Sequence, residues 1–285
     1  MKGRDERAQV AGLIDQILQR GFPRSVVLAD ERGFPKGKGP WAFQLYDHSR
    51  LSICLSRRGT YRILRNGVLT TVVLQRGDAL VVSPGCLMAS HPEARYLSFG
   101  LVFSAEMTRF LLAKRTPNSV GGRHRFLFAH HSSALMDEEI HWCFKTIEKA
   151  CQREADPRYA AQLVGLVLLR AKDLSLSQKA MAEVRSGSFT WKAAKEYVDE
   201  NLHRPLSREE IAEFLRIHPN HVSKLFRQFG GSSLRDYLMR ARMEKARGLL
   251  LHPALRISEI AESCGIPDPN YFSRCFRKEH GYSPT

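Results

Sequence analysis

The chain has 285 residues, 43% of them hydrophobic, and a formal net charge of +15 at pH 7. This length and apolar content favour two globular domains over a disordered chain. The longest apolar run, residues 163–169, is far shorter than the ~18 residues that a membrane span needs, so no membrane contact is expected.

The positive charge is unevenly distributed along the chain. From Thr190 onward, 16 Lys and Arg stand against 12 Asp and Glu, whereas residues 1–189 hold 28 against 17. A basic chain suits a polyanion such as DNA, through counterion release. The excess in the first part would equally suit an anionic ligand, and charge alone does not separate these interpretations.

Residues 1–20 predict an amphipathic helix rather than a signal peptide. Without an export signal, a cytoplasmic location is expected, where cysteines stay reduced. The six cysteines include no CxxC pair and are interpreted as small apolar residues. A thiol sensor built on Cys143 and Cys151 is the weaker alternative.

Short β-rich runs broken by turns follow, at residues 51–55, 61–64, 68–74, 79–82 and 96–103. Asn66-Gly67 is a strong hairpin turn. Such strands predict a small sandwich or barrel. The spacing of Gly77-Asp78 and Ser83-Pro84-Gly85 resembles that of cupin-like sensory domains.

Many cupins bind a metal through two or three His and one Glu. Here residues 52–55 contain no His, and Met88 stands where the second motif would place one. No metal and no cofactor are therefore expected, although a cupin-type enzyme with a DNA-binding anchor stays an alternative. A second loose group is interpreted as solvated or capping residues, namely His130, His131, His141 and Cys143.

Three helices are predicted after these strands. Ser104 caps one that ends near Lys114, and a second runs from about Ser133 to Arg153. Asp156-Pro157 begins a third, which ends near Leu174 and has a broad apolar face. That face would pack partly on the barrel. Residues 181–189 have linker chemistry.

The last eighty residues contain the same small unit twice, and each copy predicts helix, turn, helix. Ser207 and Ser258 would begin the first helices, while Pro219 and Asp268-Pro269 begin the second ones. The matching residues are Ile211-Ala212-Glu213, Ile217, Pro219-Asn220, Phe226-Arg227 and Gly231 in one copy, and Ile260-Ala261-Glu262, Ile266, Pro269-Asn270, Phe276-Arg277 and Gly281 in the other.

In each second helix an apolar face lies opposite a polar and basic stripe. One stripe is Asn220, Lys224 and Arg227, and the other is Asn270, Arg274 and Arg277. Arg and Lys can pair with guanine edges in a major groove, and Asn with adenine. A single stripe of this kind is ordinarily a solvated surface. Two matching stripes, each behind a helix-turn signal, favour DNA reading instead.

Residues 190–285 resemble the DNA-binding domain of the AraC/XylS family of bacterial transcription regulators. The resemblance implies seven helices, with two helix-turn-helix units joined by a long helix from about Ser233 to Leu251. His218 and Ile266 depart from the family pattern, which usually has a hydroxyl residue and an aromatic there. The most specific stretch is Ile257-Ser258-Glu259-Ile260-Ala261, Gly265, Asp268, Tyr271-Phe272-Ser273-Arg274, Phe276-Arg277-Lys278 and Gly281-Tyr282-Ser283-Pro284.

The expected fold is therefore α+β. A cupin-like β-barrel followed by helices would fill residues 1–180, a linker 181–189, and an all-α double helix-turn-helix domain 190–285. The residues expected to contact base edges are Asn220, His221, Ser223, Lys224, Asn270, Tyr271 and Arg274, and those expected to contact phosphates are Arg227, Arg277 and Lys278.

The expected function is sequence-specific transcription regulation. The resemblance favours an activator, because most members are activators, with promoter DNA and RNA polymerase as partners. A homodimer is expected through the helices after the barrel. A small effector would bind in the barrel, with Arg57, Arg62 and Arg76 as its anion-binding residues. A regulator controlled by a partner protein is the remaining alternative.

Overall fold

The computed structural model describes residues 2–33, 44–90, 94–116, 125–176, 187–252 and 255–284. The chain divides into two compact units, with a boundary between residues 186 and 187. His91 and residues 181–186 of the predicted linker lie outside the described residues. Residues 187–189, the rest of that linker, are helical.

Over its described residues the N-terminal unit contains strands and three helices, so the α+β class is confirmed. In chain order they are α1 (Lys2–Gln19), β1 (Val26–Ala29), β2 (Gln44–Tyr46), β3 (Ser49–Cys54), β4 (Arg58–Arg65), β5 (Val68–Gln75), β6 (Ala79–Val82), β7 (Cys86–Ser90), β8 (Tyr96–Phe103), β9 (Thr108–Arg115), β10 (Arg125–Ser132), α2 (Glu138–Gln152) and α3 (Pro157–Leu176).

The described strands form two sheets rather than one closed barrel. The larger has the order β1-β6-β3-β8-β9-β10, and the smaller has the order β2-β7-β4-β5. In the larger sheet β1 runs parallel to β6, while the other neighbours are antiparallel. The five predicted strands correspond to β3, β4, β5, β6 and β8.

The hairpin between β4 and β5 turns at the predicted residues. Asn66 and Gly67 have φ angles of 54° and 74°, as a two-residue hairpin loop of this kind requires. The Glu31 carboxylate accepts hydrogen bonds from both backbone N–H groups, at 2.5 and 2.6 Å. The turn residues therefore set the register of all eight pairs between these strands.

The three helices of this unit cover one face of the larger sheet. Alternate residues of β3 and β8, such as Leu51, Ile53, Phe99 and Leu101, pack with the buried faces of α1, α2 and α3. The opposite face of the sheet contributes to a second buried cluster, together with Tyr61 and other residues of the smaller sheet. The larger sheet is thus covered on both sides.

The helix predicted from Ser104 to Lys114 is wrong. Residues 108–115 form β9, which pairs with β8 on one side and with β10 on the other. Ser104 does cap locally, since its hydroxyl accepts the N–H groups of Glu106 and Met107. The turn it holds leads into a strand because both neighbouring strands offer backbone partners there.

The C-terminal unit is helical over its described residues. Its six helices there are α4 (Gly187–Glu200), α5 (Arg208–Leu215), α6 (Pro219–Gly230), α7 (Leu234–Leu249), α8 (Ile257–Ser263) and α9 (Pro269–His280). The long helix expected between the two helix-turn-helix units is α7, and Ser233 caps its start. The described residues contain six of the seven helices that the resemblance implied.

Across the described ranges, we find no helix whose length and apolar content would let it cross a membrane.

Candidate nucleic-acid interface

Helices α6 and α9 begin and end at the same types of residue and have the same length. Each begins with Pro, whose missing N–H costs nothing at a first helical position. Each ends at a glycine with positive φ, 65° at Gly231 and 82° at Gly281, where other residues would be strained. Each has 12 residues, so the two copies present surfaces of equal length.

The N-caps of these helices differ in chemistry but not in position. Asp268 accepts hydrogen bonds from the backbone N–H groups of Asn270 and Tyr271, at 2.9 and 3.2 Å. His218 accepts the N–H of Asn220 through Nδ1 at 3.2 Å. The His218 imidazole therefore caps α6 as a hydroxyl group would. This departure from the family pattern leaves the start of α6 intact.

Each of these helices buries one face in the C-terminal unit. Val222, Leu225 and Phe226 in α6 are at most 1% exposed, and Phe272 and Phe276 in α9 are fully buried. Phe229 of α6 is 38% exposed and Cys275 of α9 is partly exposed. The fully buried face of each helix is therefore narrow.

The opposite faces of α6 and α9 are open to solvent. Of the residues predicted to contact DNA, all but Ser223 are exposed, and Ser223 is half-buried. In α9 the Arg274 guanidinium lies 5.9 Å from the centre of the Tyr271 ring, a cation–π contact that biases its direction. The exposed set is Asn220, His221, Lys224, Arg227, Asn270, Tyr271, Arg274, Arg277 and Lys278.

Helix α7 joins the two copies and holds both. Its Arg242 guanidinium donates to the carbonyl oxygens of Leu202 and Arg204, at 3.1 and 2.9 Å, in the loop before α5. Lys245 donates to the Ser263 carbonyl at the end of α8, at 3.0 Å. One helix therefore bonds to an element of each copy.

The turn of the second copy also packs on the loop of the first. Gly265 has a φ of 70°, and a Cβ placed there would lie 2.4 Å from the Leu202 carbonyl oxygen. Only glycine permits this approach. Together with Arg242, this contact fixes the orientation of the two helix-turn-helix units relative to each other. No local signal in the sequence predicts this contact.

A buried polar network supports the first copy. Arg204, 7% exposed, forms an ion pair with Glu210 and donates to the Tyr197 hydroxyl at 3.2 Å. The Tyr197 hydroxyl donates to the same carboxylate at 2.9 Å. Burial raises the pKa of Tyr197, so the hydroxyl remains a donor. Glu210 also lies three residues after the N-cap Ser207, whose hydroxyl accepts the Glu210 N–H.

An aromatic cluster fixes α6 against α4 and α7. The Trp191 ring meets Phe226 edge-on at 4.9 Å between centres, and Tyr237 contacts both rings. The Tyr237 hydroxyl donates to Asp199 at 3.0 Å. A Cβ on Gly230 would lie 2.7 Å from Trp191. These contacts join residues of α4, α6 and α7, and no pattern within any one of these helices predicts them.

In the second copy the predicted start of the short helix is displaced. Helix α8 begins at Ile257, and Arg256 rather than Ser258 occupies the cap position. The Glu259 carboxylate accepts the Arg256 backbone N–H at 2.9 Å and pairs with its guanidinium. A carboxylate reaching back in this way satisfies a helix start without a hydroxyl cap.

The arginines predicted for effector binding do not converge. Arg57 and Arg76 are exposed and adjacent, joined by a backbone hydrogen bond of 3.2 Å at the base of the β4–β5 hairpin. Arg62 alternates along β4 with buried Tyr61 and Ile63, so it faces away from the buried cluster. The three side chains line no common site inside the sheets.

Histidines and cysteines of the N-terminal unit are also dispersed. His130 and His131 are consecutive on β10 and face opposite sides, whereas His141 and Cys143 lie on α2. Within the described ranges, no three His, Cys, Asp or Glu side chains are grouped as metal ligands would be. Burial raises the pKa of both Cys143 and Cys151, which disfavours the reactive thiolate.

Comparison with known proteins agrees with the geometry of the C-terminal unit. A helix-turn-helix domain family matches residues 211–285. The HTH-type transcriptional regulator YpdC of Escherichia coli is 43% identical over 98 residues, which are 34% of this chain and 34% of that protein. That match therefore covers about a third of the relative.

Two further relatives match over most of the chain. The HTH-type transcriptional regulator YijO of Escherichia coli is 28% identical over 255 residues, 88% of this chain and 86% of that protein. The XylDLEGF operon transcriptional activator of Pseudomonas putida is 23% identical over 284 residues, 88% of this chain and 85% of that protein. Residues 211–285 thus form a helix-turn-helix domain of the AraC type, and the relatives of the chain are AraC/XylS-family transcription regulators.

Proposed function

We propose that this protein binds promoter DNA sequence-specifically and activates transcription from it. The observation that carries the proposal is the pair of equal helices, α6 and α9, which expose matching Asn and Lys or Arg residues. Asn and Arg or Lys in a helix suit the edges of adenine and guanine in a major groove. The relatives are named as regulators, and one is named as an operon activator.

The connecting helix has a suitable length for reading two adjacent segments. Helix α7 has 16 residues. At about 1.5 Å per residue it spans some 24 Å. With the widths of the two helix-turn-helix units added, it can hold two reading helices near the ~34 Å repeat of DNA. One chain would thus read two neighbouring major-groove segments.

The proposal assigns roles within each reading helix. Asn220, Lys224, Asn270 and Arg274 contact base edges, with His221, Ser223 and Tyr271 beside them. Arg227, Arg277 and Lys278 contact phosphates, which position the protein without reading sequence. Binding rather than catalysis is the function. Its partners are promoter DNA, RNA polymerase and a small effector that shifts the population competent to bind DNA. Such a protein works beside the chromosome, in the cytoplasm.

The direct test is selection of duplexes from a random library with the full chain. The affinity for a selected duplex, compared with a scrambled one at physiological salt, is expected to be at least ~10³-fold higher. Equal affinity for both duplexes would contradict sequence-specific binding.

A phosphate contact has its own signature. Arg277→Ala is expected to weaken binding to every duplex by a similar factor and to reduce the slope of log affinity against log salt by about 1. Titrations at several salt concentrations measure both effects. Arg158→Ala, which removes an exposed arginine from α3, serves as the control and should change neither. A changed preference at one base position would instead assign Arg277 to base reading.

A homodimer through α3 is a further part of the proposal. An apolar stripe of this helix is exposed although its other face is buried, with Leu166 and Leu169 at 52% and 46%. Tyr159 and Leu176 continue it at spacings of seven residues, the repeat of paired helices. Exposed apolar patches of this kind mark interaction surfaces.

The double substitution Leu166→Glu with Leu169→Glu is expected to convert the dimer to a monomer at micromolar concentration, because the charges cannot be buried in an interface. Sedimentation velocity measures the change. Lys149→Glu, at an exposed site on α2, is the control. A wild-type chain that sediments as a monomer at tens of micromolar would refute this contact.

A further inference from the structure

Five arginines lie on a single hairpin of the N-terminal unit. Residues 57–76 contain β4, β5 and the turn between them, and they include five Arg but no Lys, Asp or Glu. This hairpin therefore contributes +5 to a formal net charge of +15. We call residues 57–76 the basic hairpin, and its arginines are Arg57, Arg58, Arg62, Arg65 and Arg76.

The arginines of the basic hairpin lie at its surface. All are exposed except Arg62, which is half-buried. Arg58 and Arg62 are four positions apart on β4, so they share the outer face, away from buried Tyr61, at about 13 Å along the strand. Their partners on β5, Gln75 and Thr71, are exposed as well. The hairpin thus presents guanidinium groups from an open ribbon.

The positive charge of this ribbon is not neutralised by nearby carboxylates. Within the ranges that the structure describes, none of the five guanidinium groups forms an ion pair. Other basic side chains of the same unit are paired, since Arg170 lies 2.6 Å from Asp137 and Lys172 lies 2.6 Å from Asp15. Guanidinium groups keep their proton in proteins, so the charge of the ribbon is permanent.

The carboxylates at the two ends of the hairpin bond to other groups. Glu31 accepts the two N–H groups of the turn. At the other end, Asp78 accepts the Gln75 backbone N–H at 2.6 Å and the Ser25 hydroxyl at 2.8 Å. Both carboxylates therefore stabilise the backbone of the hairpin and leave its guanidinium groups open to an external anion.

Two of the arginines repel each other in the free chain. Arg57 and Arg76 are adjacent, and their backbones are joined by a hydrogen bond of 3.2 Å. Like charges on neighbouring strands are destabilising. A bound anion between them would replace this repulsion with two attractions.

We propose that the basic hairpin binds the phosphate backbone of the duplex whose bases α6 and α9 read. This inference rests on the DNA binding stated under the proposed function. A guanidinium offers parallel N–H donors that match the oxygens of a phosphate. Such contacts position a protein without reading sequence. The hairpin therefore adds affinity, and the choice of sequence stays with the two reading helices.

A rigid polyanion suits the basic hairpin better than an acidic polypeptide does. Strand β4 has eight residues. At about 3.3 Å per residue it spans some 26 Å. A duplex carries one negative charge per about 1.7 Å of its axis, so about 15 charges at fixed positions lie over that length. A flexible acidic segment would instead lose chain entropy when it binds.

The connection to the reading helices strengthens a weak contact. Once α6 and α9 hold a duplex, the hairpin meets that duplex at a high effective concentration, because both belong to one chain. A few phosphate contacts are then enough to change the overall affinity.

This assignment gives the arginines chosen from the sequence a different ligand. Arg57, Arg62 and Arg76 line no common site inside the sheets, as a small effector would require. A polyanion can contact arginines that are dispersed along a surface. The ligand is still an anion, but it lies outside the sheets.

The test replaces the four exposed arginines and measures DNA binding by the full chain. The variant combines Arg57→Gln, Arg58→Gln, Arg65→Gln and Arg76→Gln, and the half-buried Arg62 is kept. The probes are two duplexes of about 60 base pairs, several times the ~10.5 base pairs of one DNA turn, with the selected site either central or scrambled.

We expect the hairpin variant to bind both duplexes more weakly. The affinity at physiological salt should fall at least about tenfold, and the slope of log affinity against log salt should decrease by about 2–4, because each lost phosphate contact removes about 0.9. The base preference in random-library selection should stay unchanged, because the reading helices are intact.

A second variant removes the same amount of charge elsewhere on the unit. It combines Arg20→Gln, Lys149→Gln, Arg153→Gln and Arg158→Gln, all at exposed positions. The two variants have equal net charge, so their difference isolates a local contact from general attraction to DNA. We expect the second variant to change the salt slope by less than about 1. Circular dichroism checks that both variants are folded.

Photo-crosslinking locates the contact without removing a charge. A photoreactive amino acid in place of Thr71, which is exposed opposite Arg62, should attach the chain to the duplex. The same amino acid in place of Gln19, an exposed residue at the end of α1, should give only background.

Several outcomes would overturn the proposal. Equal affinity and equal salt slope in the two variants would do so, as would crosslinking from position 19 as strong as that from position 71. An altered base preference in the hairpin variant would contradict a contact to phosphates alone. Polyglutamate is a further probe, and a larger loss of binding to it than to DNA would indicate an acidic protein as the ligand instead.

The scrambled duplex separates this proposal from the proposed function. Equal binding of both duplexes by the wild-type chain would contradict sequence-specific binding. A difference between the two variants on the scrambled duplex would still support the hairpin contact in that case. If the wild-type chain prefers the selected duplex but the variants do not differ, only the hairpin contact is wrong.

Discussion

Replacing Glu210 by Ala is expected to destabilise the C-terminal unit by about 3–5 kcal/mol, because it leaves the buried Arg204 guanidinium without its carboxylate. Both side chains of the pair are largely buried, at 8% and 14% exposure. The Tyr197 hydroxyl loses its acceptor in the same step. The measurement is urea unfolding followed by the fluorescence of Trp191, in a chain whose Trp41 and Trp142 are replaced by Phe.

The adjacent carboxylate supplies a matched control. Glu209 pairs with Arg208 on the surface, where the two side chains are 60% and 50% exposed. Glu209→Ala is therefore expected to cost less than about 1 kcal/mol. Replacing Arg204 and Glu210 together by Met and Leu should recover much of the loss, since an apolar pair of similar volume has no charge to satisfy. A cost for Glu210→Ala as small as that for Glu209→Ala would contradict the buried network.

Replacing Gly265 by Ala is expected to uncouple the two helix-turn-helix units. The new Cβ would lie 2.4 Å from the Leu202 carbonyl oxygen and 3.0 Å from the Arg242 guanidinium, so either the turn or the loop must move. Strain at positive φ contributes about 1–2 kcal/mol, and overpacking adds about 1–3 kcal/mol. We expect a lower unfolding free energy and weaker binding to a duplex that contains both half-sites.

Two glycines isolate the contribution of the contact. Gly231 and Gly281 have φ angles of 65° and 82°, and an added Cβ would meet nothing within 4 Å at either. Gly231→Ala and Gly281→Ala should therefore show only the backbone strain, about 1–2 kcal/mol. If Gly265→Ala costs no more than these controls, the contact with Leu202 does not hold the two units in place.

The C-terminal unit could be predicted from the sequence because its signals are local. Pro219, Asp268, Gly231 and Gly281 mark the ends of α6 and α9, and the structure places helix boundaries at those residues. The hairpin at Asn66-Gly67 is likewise set by residues adjacent in sequence. In each case the residue that determines the backbone conformation lies within the turn itself.

Strand β9 shows where local signals mislead. Both of its faces are covered, so Phe110, Leu111 and Leu112 are all apolar and the alternation typical of a strand is lost. Such a short run cannot be told from a buried helix by its periodicity. Its pairing with β8 and β10 decides the structure, and β10 is distant enough in sequence to leave no local trace.

Contacts between distant residues account for the rest of what the sequence did not indicate. Arg242 donates hydrogen bonds to carbonyl groups 38 and 40 residues away. The residues next to it in the sequence do not distinguish it from an arginine on the surface. The same holds for Arg109, whose burial follows from the register of β9 between its neighbours.

Base preference in single-residue variants tests the central claim most directly. Random-library selection would be repeated with Lys224→Ala and with Arg274→Ala, in parallel with the wild-type chain. Each variant is expected to lose about 1–3 kcal/mol on the wild-type duplex and to accept any base at one position or two adjacent ones. The positions relaxed by the two variants should lie about one DNA turn, 10–10.5 base pairs, apart. Equal weakening on all duplexes with unchanged base preference, or relaxation of the same position by both variants, would contradict a pair of helices that read neighbouring turns of the duplex.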